Sequence, residues 1–313
     1  MNYYSLYNSC SLCPRNCRVN RSEGEIGFCR ETDKLRMAWA GLHFGEEPVI
    51  TGKGGSGTVF FTGCTMRCSF CQNYQISHNG LGGVVSEEEL VKIFLGLEDM
   101  GAENINVVTG THFIPHIVGA FNRAKEIGLA LPLVWNTSGY EKREIVDLLL
   151  DYVDIFLTDI KTLDERVARK LFRAPDYPDI VVAAVDLMVD AKSSVVENGS
   201  MKRGVIVRHL VLPGMIDSTL DFLNLFRERW YGRAILSLMF QYTPPPSGIS
   251  LRLPSGLKTY LLREEYERVM EHLEEIGIEE GYIHDMDEND EWLPDFTSEK
   301  PFPPRLCKPL WHI

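Results

Sequence analysis

The sequence predicts an α/β protein built on a partial (β/α)6 barrel, with a cysteine-rich segment ahead of it and a helical extension behind it. Three observations lead there. Six short apolar runs alternate with segments of helical periodicity, which calls for a parallel sheet with right-handed crossovers. A chain of 313 residues with 44% hydrophobic content can bury a full core, and suits one barrel-sized domain with appendages better than two equal domains. Seven of the eight cysteines fall into two tight groups, a pattern of metal ligation rather than of a disulfide scaffold. The expected division is residues 1–50 for the cysteine-rich segment, 51–250 for the barrel and 251–313 for the helix and tail that pack on it.

Cys10, Cys13, Cys17 and Cys29 bring four thiols into the first thirty residues, enough for a closed site. Gly24 and Gly27 offer the tight backbone that wraps a metal, and Arg15, Arg18 and Arg21 could offset the charge of a tetrathiolate. Zinc and a second iron–sulfur cluster both fit this spacing. Residues 52–58 contain a formal G-x-G-x-x-G, but they precede a strand instead of following one and open no helix, so a dinucleotide-binding reading fails and a flexible lead into the first strand is expected.

The first strand is expected at Thr58 to Thr62. Cys64, Cys68 and Cys71 follow it within eight residues. Three thiols spaced x3 then x2 can ligate three irons of a [4Fe–4S] cube and leave the fourth open for chemistry. A closed tetrahedral zinc would want a fourth ligand close by. Ser86 and Glu89 form a capping box ahead of Leu90, Ile93, Phe94 and Leu97, which mark one helical face ending at Gly101. Ile105 to Val108, Leu131 to Trp135, Val153 to Leu157, Val205 to Val211 and Ile235 to Phe240 read as the remaining strands. Helices follow through Ile117 to Ile127, Ile145 to Leu149 and Val167 to Leu171, and positions 181, 185 and 188 mark a further one. Leu220, Leu223 and Phe226 mark the helix before the last strand. Pro244 to Pro246 make a stiff break, after which Tyr266, Val269, Met270, Leu273 and Ile276 form a helix expected to close the barrel's open edge. The acidic stretch Asp285 to Phe296, with Trp292, reads as a solvated cap or a partner-docking segment.

The cysteine loop resembles that of the radical S-adenosylmethionine (SAM) enzymes, whose signature is Cys-x3-Cys-x2-Cys with an aromatic residue, here Phe70, before the last cysteine. The Gly-Cys ahead of it and the Cys-Gln-Asn after it are similar to the pyruvate formate-lyase activating-enzyme-like group, which activates glycyl-radical enzymes. The resemblance covers about 200 residues. It implies an open (β/α)6 barrel of the TIM-like, radical SAM type, a [4Fe–4S] cluster on Cys64, Cys68 and Cys71, and SAM on the open iron, split reductively to methionine and a 5′-deoxyadenosyl radical. The implied partners are a reductant such as flavodoxin or ferredoxin and a glycyl-radical enzyme as substrate.

In parallel barrels the reactive residues lie at the carboxyl ends of the strands. Strand two ends in Thr109, Gly110, Thr111 and His112, where the family has a Gly-Gly-Glu-like turn that holds the SAM amino group; the Glu is missing here. Strand three ends in Asn136, Thr137 and Ser138, similar to the family's SAM-contacting Asp/Asn-Thr segment. Strand four ends in Asp159-Ile160-Lys161, where alternation sends the carboxylate and the ammonium to the same side, a pair that could bind the SAM carboxylate. His209, inside strand five, is either a SAM contact or a satisfied core histidine.

The net charge of −12 gives no basic field for nucleic acid or anionic lipid. The amino terminus lacks a signal-peptide pattern and no apolar run reaches membrane-spanning length, so a cytoplasmic protein is expected. The alternative is an iron–sulfur electron carrier or sensor without SAM chemistry, which would have no need of so large a barrel.

Overall fold

The computed structural model describes residues 3–245, 253–286 and 293–313. Pro246 and Trp292, named above, lie outside the described residues. The strands are β1 (Arg36–His43), β2 (Ser56–Phe61), β3 (Gly83–Val84), β4 (Ile105–Val108), β5 (Leu133–Thr137), β6 (Ile155–Asp159), β7 (Val195–Glu197), β8 (Ser200–Leu210), β9 (Ile235–Met239), β10 (Tyr282–His284) and β11 (Cys307–His312). They form a sheet in the order β10-β9-β8-β6-β5-β4-β2-β1-β11, with β3 and β7 as short side pairings on β1 and β8. From β2 to β10 every neighbour is parallel, whereas β1 runs antiparallel to both β2 and β11. The sheet curls but does not close.

The parallel strands form where the apolar runs were longest because both of their faces are covered: β2, β4 and β5 are buried at every position. Each fully buried aliphatic or aromatic side chain in them contributes about 1.5–3 kcal/mol of transfer free energy. Between strands, the helix Glu87–Asp99 begins at the expected capping box: Ser86 Oγ accepts from Glu89 N–H, whose carboxylate accepts from Ser86 N–H at 2.7 Å. The helix Tyr177–Ala191 buries Val181, Val185 and Met188 as its periodicity requires.

Five differences from the sequence reading stand out. Strands β5 and β6 end two residues later than their apolar runs, because Asn136, Thr137, Thr158 and Asp159 continue the hydrogen-bonded ladder. The sheet begins at Arg36, ahead of residue 50, since β1 pairs along β2. Residues 52–58 are no flexible lead: a Cβ at Gly54 would stand 1.9 Å from Gly101 O and one at Gly57 2.5 Å from Asn104 O, so these glycines permit close backbone packing. The helix Arg263–Glu275 does not close the barrel edge. It lies on the helix Ile216–Arg229, bonded through Arg227 to Ile276 O and His272 to Asn224, and β10 extends that edge instead. Nor is the tail wholly solvated, because Phe296 is fully buried against Phe60 at 5.1 Å between ring centroids.

Candidate active site at the carboxyl ends of the strands

The turn after β2 brings Cys64, Cys68 and Cys71 to the wall of a cleft of about 270 Å³ inside the curl of the sheet. Phe70, Thr109, Asn136, Thr137 and Ser138 line the same cleft, as do Asp159 and Lys161. All eight cysteines are free thiols. Met66 N–H and Arg67 N–H point at Cys64 Sγ at 3.3 and 3.5 Å, and Ser77 Oγ–H donates to Cys71 Sγ at 3.2 Å. Burial pushes the Cys68 thiol up against the pull of Lys161, and lifts Cys71 to about 11. Among the described residues no group of three or more His, Cys, Asp or Glu side chains stands in ligating geometry; the thiols are convergent rather than closed.

The same cleft carries a chain of charges. Lys161 Nζ donates to Asp159 Oδ2 at 2.9 Å, and Arg208 Nε to Asp159 Oδ1 at 2.7 Å. Arg208 also donates through Nη1 to Glu46 Oε2 at 3.1 Å and through Nη2 to Asn136 Oδ1 at 2.6 Å. Burial alone would raise the Asp159 carboxyl, but Arg208 and Lys161 outweigh it and hold the group near 2. Burial works against the charge of Lys161 and Arg208 as well, and their carboxylate partners overcome it and raise both. At Glu46 burial prevails, and the carboxyl is raised despite Arg208. The Tyr177 hydroxyl ties the strand ends together: it accepts Lys161 N–H at 3.0 Å and lies within bonding distance of Ser138 O and Asp159 O.

Thr109 holds a left-handed φ of +58° at the cleft wall, a strained conformation for a β-branched residue of the kind that clusters at functional sites. Its N–H donates to Asn136 O at 2.9 Å. Gly110, Thr111 and His209 fall elsewhere, behind the wall. Gly110 packs on Ile117 and Trp135, and Thr111 Oγ1 donates to Glu141 Oε1 at 2.6 Å. The His209 nitrogens bond Ile160 O at 2.7 Å and Thr219 Oγ1 at 2.9 Å, with the ring stacked on Phe222 at 4.4 Å, so it is a satisfied core histidine, neutral because burial lowers it to about 4. His112 is likewise buried, its Nε2 on Thr62 O at 2.7 Å.

Sequence reasoning missed Arg208, Glu46 and Glu47 as cleft residues. Arg208 carried a signal, a permanent charge directly after the apolar run Val205–Val207; the two glutamates sit in the loop after β1 and carried none.

The amino-terminal thiols lie against this site. Cys64 N–H donates to Cys29 O at 3.4 Å. Arg15, between Cys13 and Cys17, gives Nε to Thr65 O at 2.9 Å, Nη2 to Phe172 O at 2.7 Å and Nη1 to Arg173 O at 2.5 Å. Cys10 and Cys29 are buried, a Cβ at Gly27 would stand 3.6 Å from both Cys17 Sγ and Cys29 Sγ, and the fully buried Arg21 points Nη1 at Cys10 Sγ at 3.9 Å.

The family model of the Radical SAM superfamily matches residues 58–226, more than half of the chain. Among curated relatives, the uncharacterized protein MJ0674 of Methanocaldococcus jannaschii is 29% identical over 282 residues, 88% of this chain and 77% of that protein. The pyruvate formate-lyase-activating enzyme of Clostridium pasteurianum is 26% identical over 175 residues, 54% of this chain and 67% of that one. Among solved structures, Streptococcus suis SuiB bound to precursor peptide SuiA superposes with a TM-score of 0.51 at 14% identity, covering 71% of this chain and less than half, 46%, of that chain. A radical SAM methyltransferase from Sphaerobacter thermophilus gives 0.50 at 17% identity, over 73% and 66%. At these identities the two structures bear on the fold alone. Among the described residues no helix is long and apolar enough to cross a membrane.

Proposed function

The chain belongs to the radical SAM superfamily, and from that premise we propose that it is an enzyme that reductively cleaves S-adenosylmethionine on a [4Fe–4S] cluster held by Cys64, Cys68 and Cys71, and abstracts hydrogen from a substrate in the cleft. The observation that carries this reading is the convergence of the three thiols and the Asp159–Lys161–Arg208 ion chain on one cleft. The donor set fits the cluster: three thiols line one cleft, and amide and hydroxyl donors already aim at Cys64 and Cys71 sulfur, the kind of hydrogen bond to ligand sulfur that tunes an iron–sulfur centre. When bound, the cluster and SAM supply one-electron cleavage of the sulfonium and a primary carbon radical able to take hydrogen. The protein's part is binding and orientation. Lys161 presents an ammonium fixed by Asp159, suited to a carboxylate. Thr109, Asn136, Thr137 and Ser138 offer backbone and side-chain polar groups for the rest of SAM. Phe70, packed on Phe172 and Tyr242 at 5.9 and 6.4 Å, stiffens the cluster loop. Replacing Cys68 with Ala should remove the cluster and all dithionite-driven 5′-deoxyadenosine; persistence of that product would sink the assignment.

A glycyl-radical enzyme is the substrate we infer, with flavodoxin or ferredoxin as reductant, on the strength of the likeness to the activating enzyme of Clostridium pasteurianum. Anoxic incubation with the host's own glycyl-radical protein should give a glycine-centred EPR doublet; a host lacking such a protein would make the reading untenable.

Cys10, Cys13, Cys17 and Cys29 form, on this reading, a second and coordinatively closed centre of zinc or iron–sulfur. Four thiols within one short segment, two of them 3.6 Å from where a Cβ at Gly27 would stand, with Phe28 N–H on Cys17 Sγ at 3.2 Å and a guanidinium beside Cys10, make a donor set suited to such a metal. Metal analysis of the anaerobically reconstituted Cys64/Cys68/Cys71 triple alanine variant decides it: zinc or iron should remain, and neither would reject the centre.

A further inference from the structure

Part of the cleft wall is built of polar groups that the chemistry above does not use. Glu47 opens the short helix Pro48–Thr51 and is 1% exposed. The Ser237 hydroxyl on β9 lies close enough to its carboxylate to favour the ionised form. Ser237 Oγ lies 3.5 Å from His284 Nε2 on β10, and His284 Nδ1 lies 3.5 Å from Gln241 Nε2. Both ends of this chain are unfinished. Glu47 Oε2 and Gln241 Oε1 are buried and have no hydrogen-bond partner, although Glu47, Gln241 and His284 all line the cleft.

Buried carboxylates are normally paired, because an uncompensated charge out of water is strongly unfavourable. The chain's own cations are committed elsewhere. Arg208 spends Nε on Asp159, Nη1 on Glu46 and Nη2 on Asn136, and Lys161 is on Asp159. Among the described residues no ion pair reaches Glu47; Arg208 favours its charge through space but gives it no hydrogen bond. Thiols aside, the cleft holds three carboxylates, Glu46, Glu47 and Asp159, against two cations. What is missing is one positive charge, together with N–H or O–H donors for two acceptors. Burial raises the Glu47 carboxyl, and a cation seated against it would hold it ionised.

We propose that Glu47, with Gln241 and His284, is a substrate subsite that receives a protonated primary amine on the molecule that loses hydrogen. An ammonium brings three N–H donors and unit charge, which supplies both missing terms. A neutral hydroxyl would satisfy one acceptor and leave the carboxylate uncompensated. The inference rests on the reading of the cleft as a SAM-dependent site, and it adds the chemical class of substrate to that reading.

Calorimetric titration of the reconstituted protein, anoxic and saturated with SAM, tests it with n-butylammonium and 1-butanol as probes. The ammonium should bind at least tenfold more tightly than the alcohol. Glu47→Gln should lose most of that preference, while Asp217→Asn, at a side chain 85% exposed, should keep it. Equal affinity for the two probes overturns the proposal without any variant having to fold. Loss of ammonium binding only when SAM is added also overturns it, since the wall would then be holding the ammonium of SAM itself. Dithionite-driven SAM cleavage in the same preparation separates the two levels: cleavage without amine preference sinks the subsite alone, whereas no cleavage sinks the reading beneath it.

Discussion

Replacing Arg208 with Met keeps much of the side chain's volume and removes the one group that neutralises both Glu46 and Asp159. The structure sets the size of the effect. At a charge separation of about 4 Å and an effective dielectric near 20, each ion pair is worth about 4 kcal/mol of Coulomb attraction. Much of this offsets the desolvation of the ions, which remains when one partner is taken away. Breaking such a buried pair typically costs about 3–5 kcal/mol, a large part of the roughly 5–15 kcal/mol that holds a domain folded. Urea unfolding of the apo protein should therefore lose about 3–5 kcal/mol in Arg208→Met. Adding Glu46→Gln should return at least about 1 kcal/mol, because the two sites share an interaction. The acid limb should move as well. Asp159 is depressed to about 2 from an ordinary 3.8, so the stability it contributes is complete above 3.8 and is lost as pH falls through 2. Without Arg208 its folded value rises and the protection ends at higher pH. A loss below 1 kcal/mol, or strictly additive effects in the double variant, would refute the account of the charge chain.

Arg15→Ala deletes donors to Thr65, Phe172 and Arg173 carbonyls and should speed iron release from the Cys64–Cys71 loop to a ferrous chelator about tenfold; Arg15→Lys should not restore it, since an ammonium lacks the fork that spans those acceptors, and release at the wild-type rate in either variant would deny Arg15 its clamping role. Burial holds His209 at about 4, so the unfolded chain takes up its proton first, near pH 6.5. The stability it affects is complete above 6.5 and falls by up to about 1.4 kcal/mol per pH unit as pH drops towards 4. His209→Gln should flatten the measured slope between pH 4.5 and 6 by nearly one proton, and an unchanged slope would show that His209 titrates normally in the folded protein.

The cysteine loop was legible because its chemistry is local: three thiols within eight residues carry their spacing in the sequence itself, and the apolar runs around them declare a sheet buried on both faces. The same locality made the Ser86–Glu89 cap and the Asp159–Lys161 pair readable, each being a contact between neighbours in the chain. His209 and Thr111 could not be placed in this way, since a polar residue at a strand end meets the cleft or the core according to the neighbouring strand and helix, here Ile160, Thr219 and Glu141. Glu46 and Glu47 are the extreme case. Nothing in the loop after β1 marks them, and only the curling of the sheet brings Glu46 to Arg208, 162 positions away, and Glu47 to Ser237. The sequence by itself determined the strand–helix alternation, the family and the grouping of the thiols, because these depend on periodicity and short spacing. The tertiary structure alone decided which charges face one another across the cleft and which acceptors in it remain unpaired, because those depend on contacts between segments far apart in the chain.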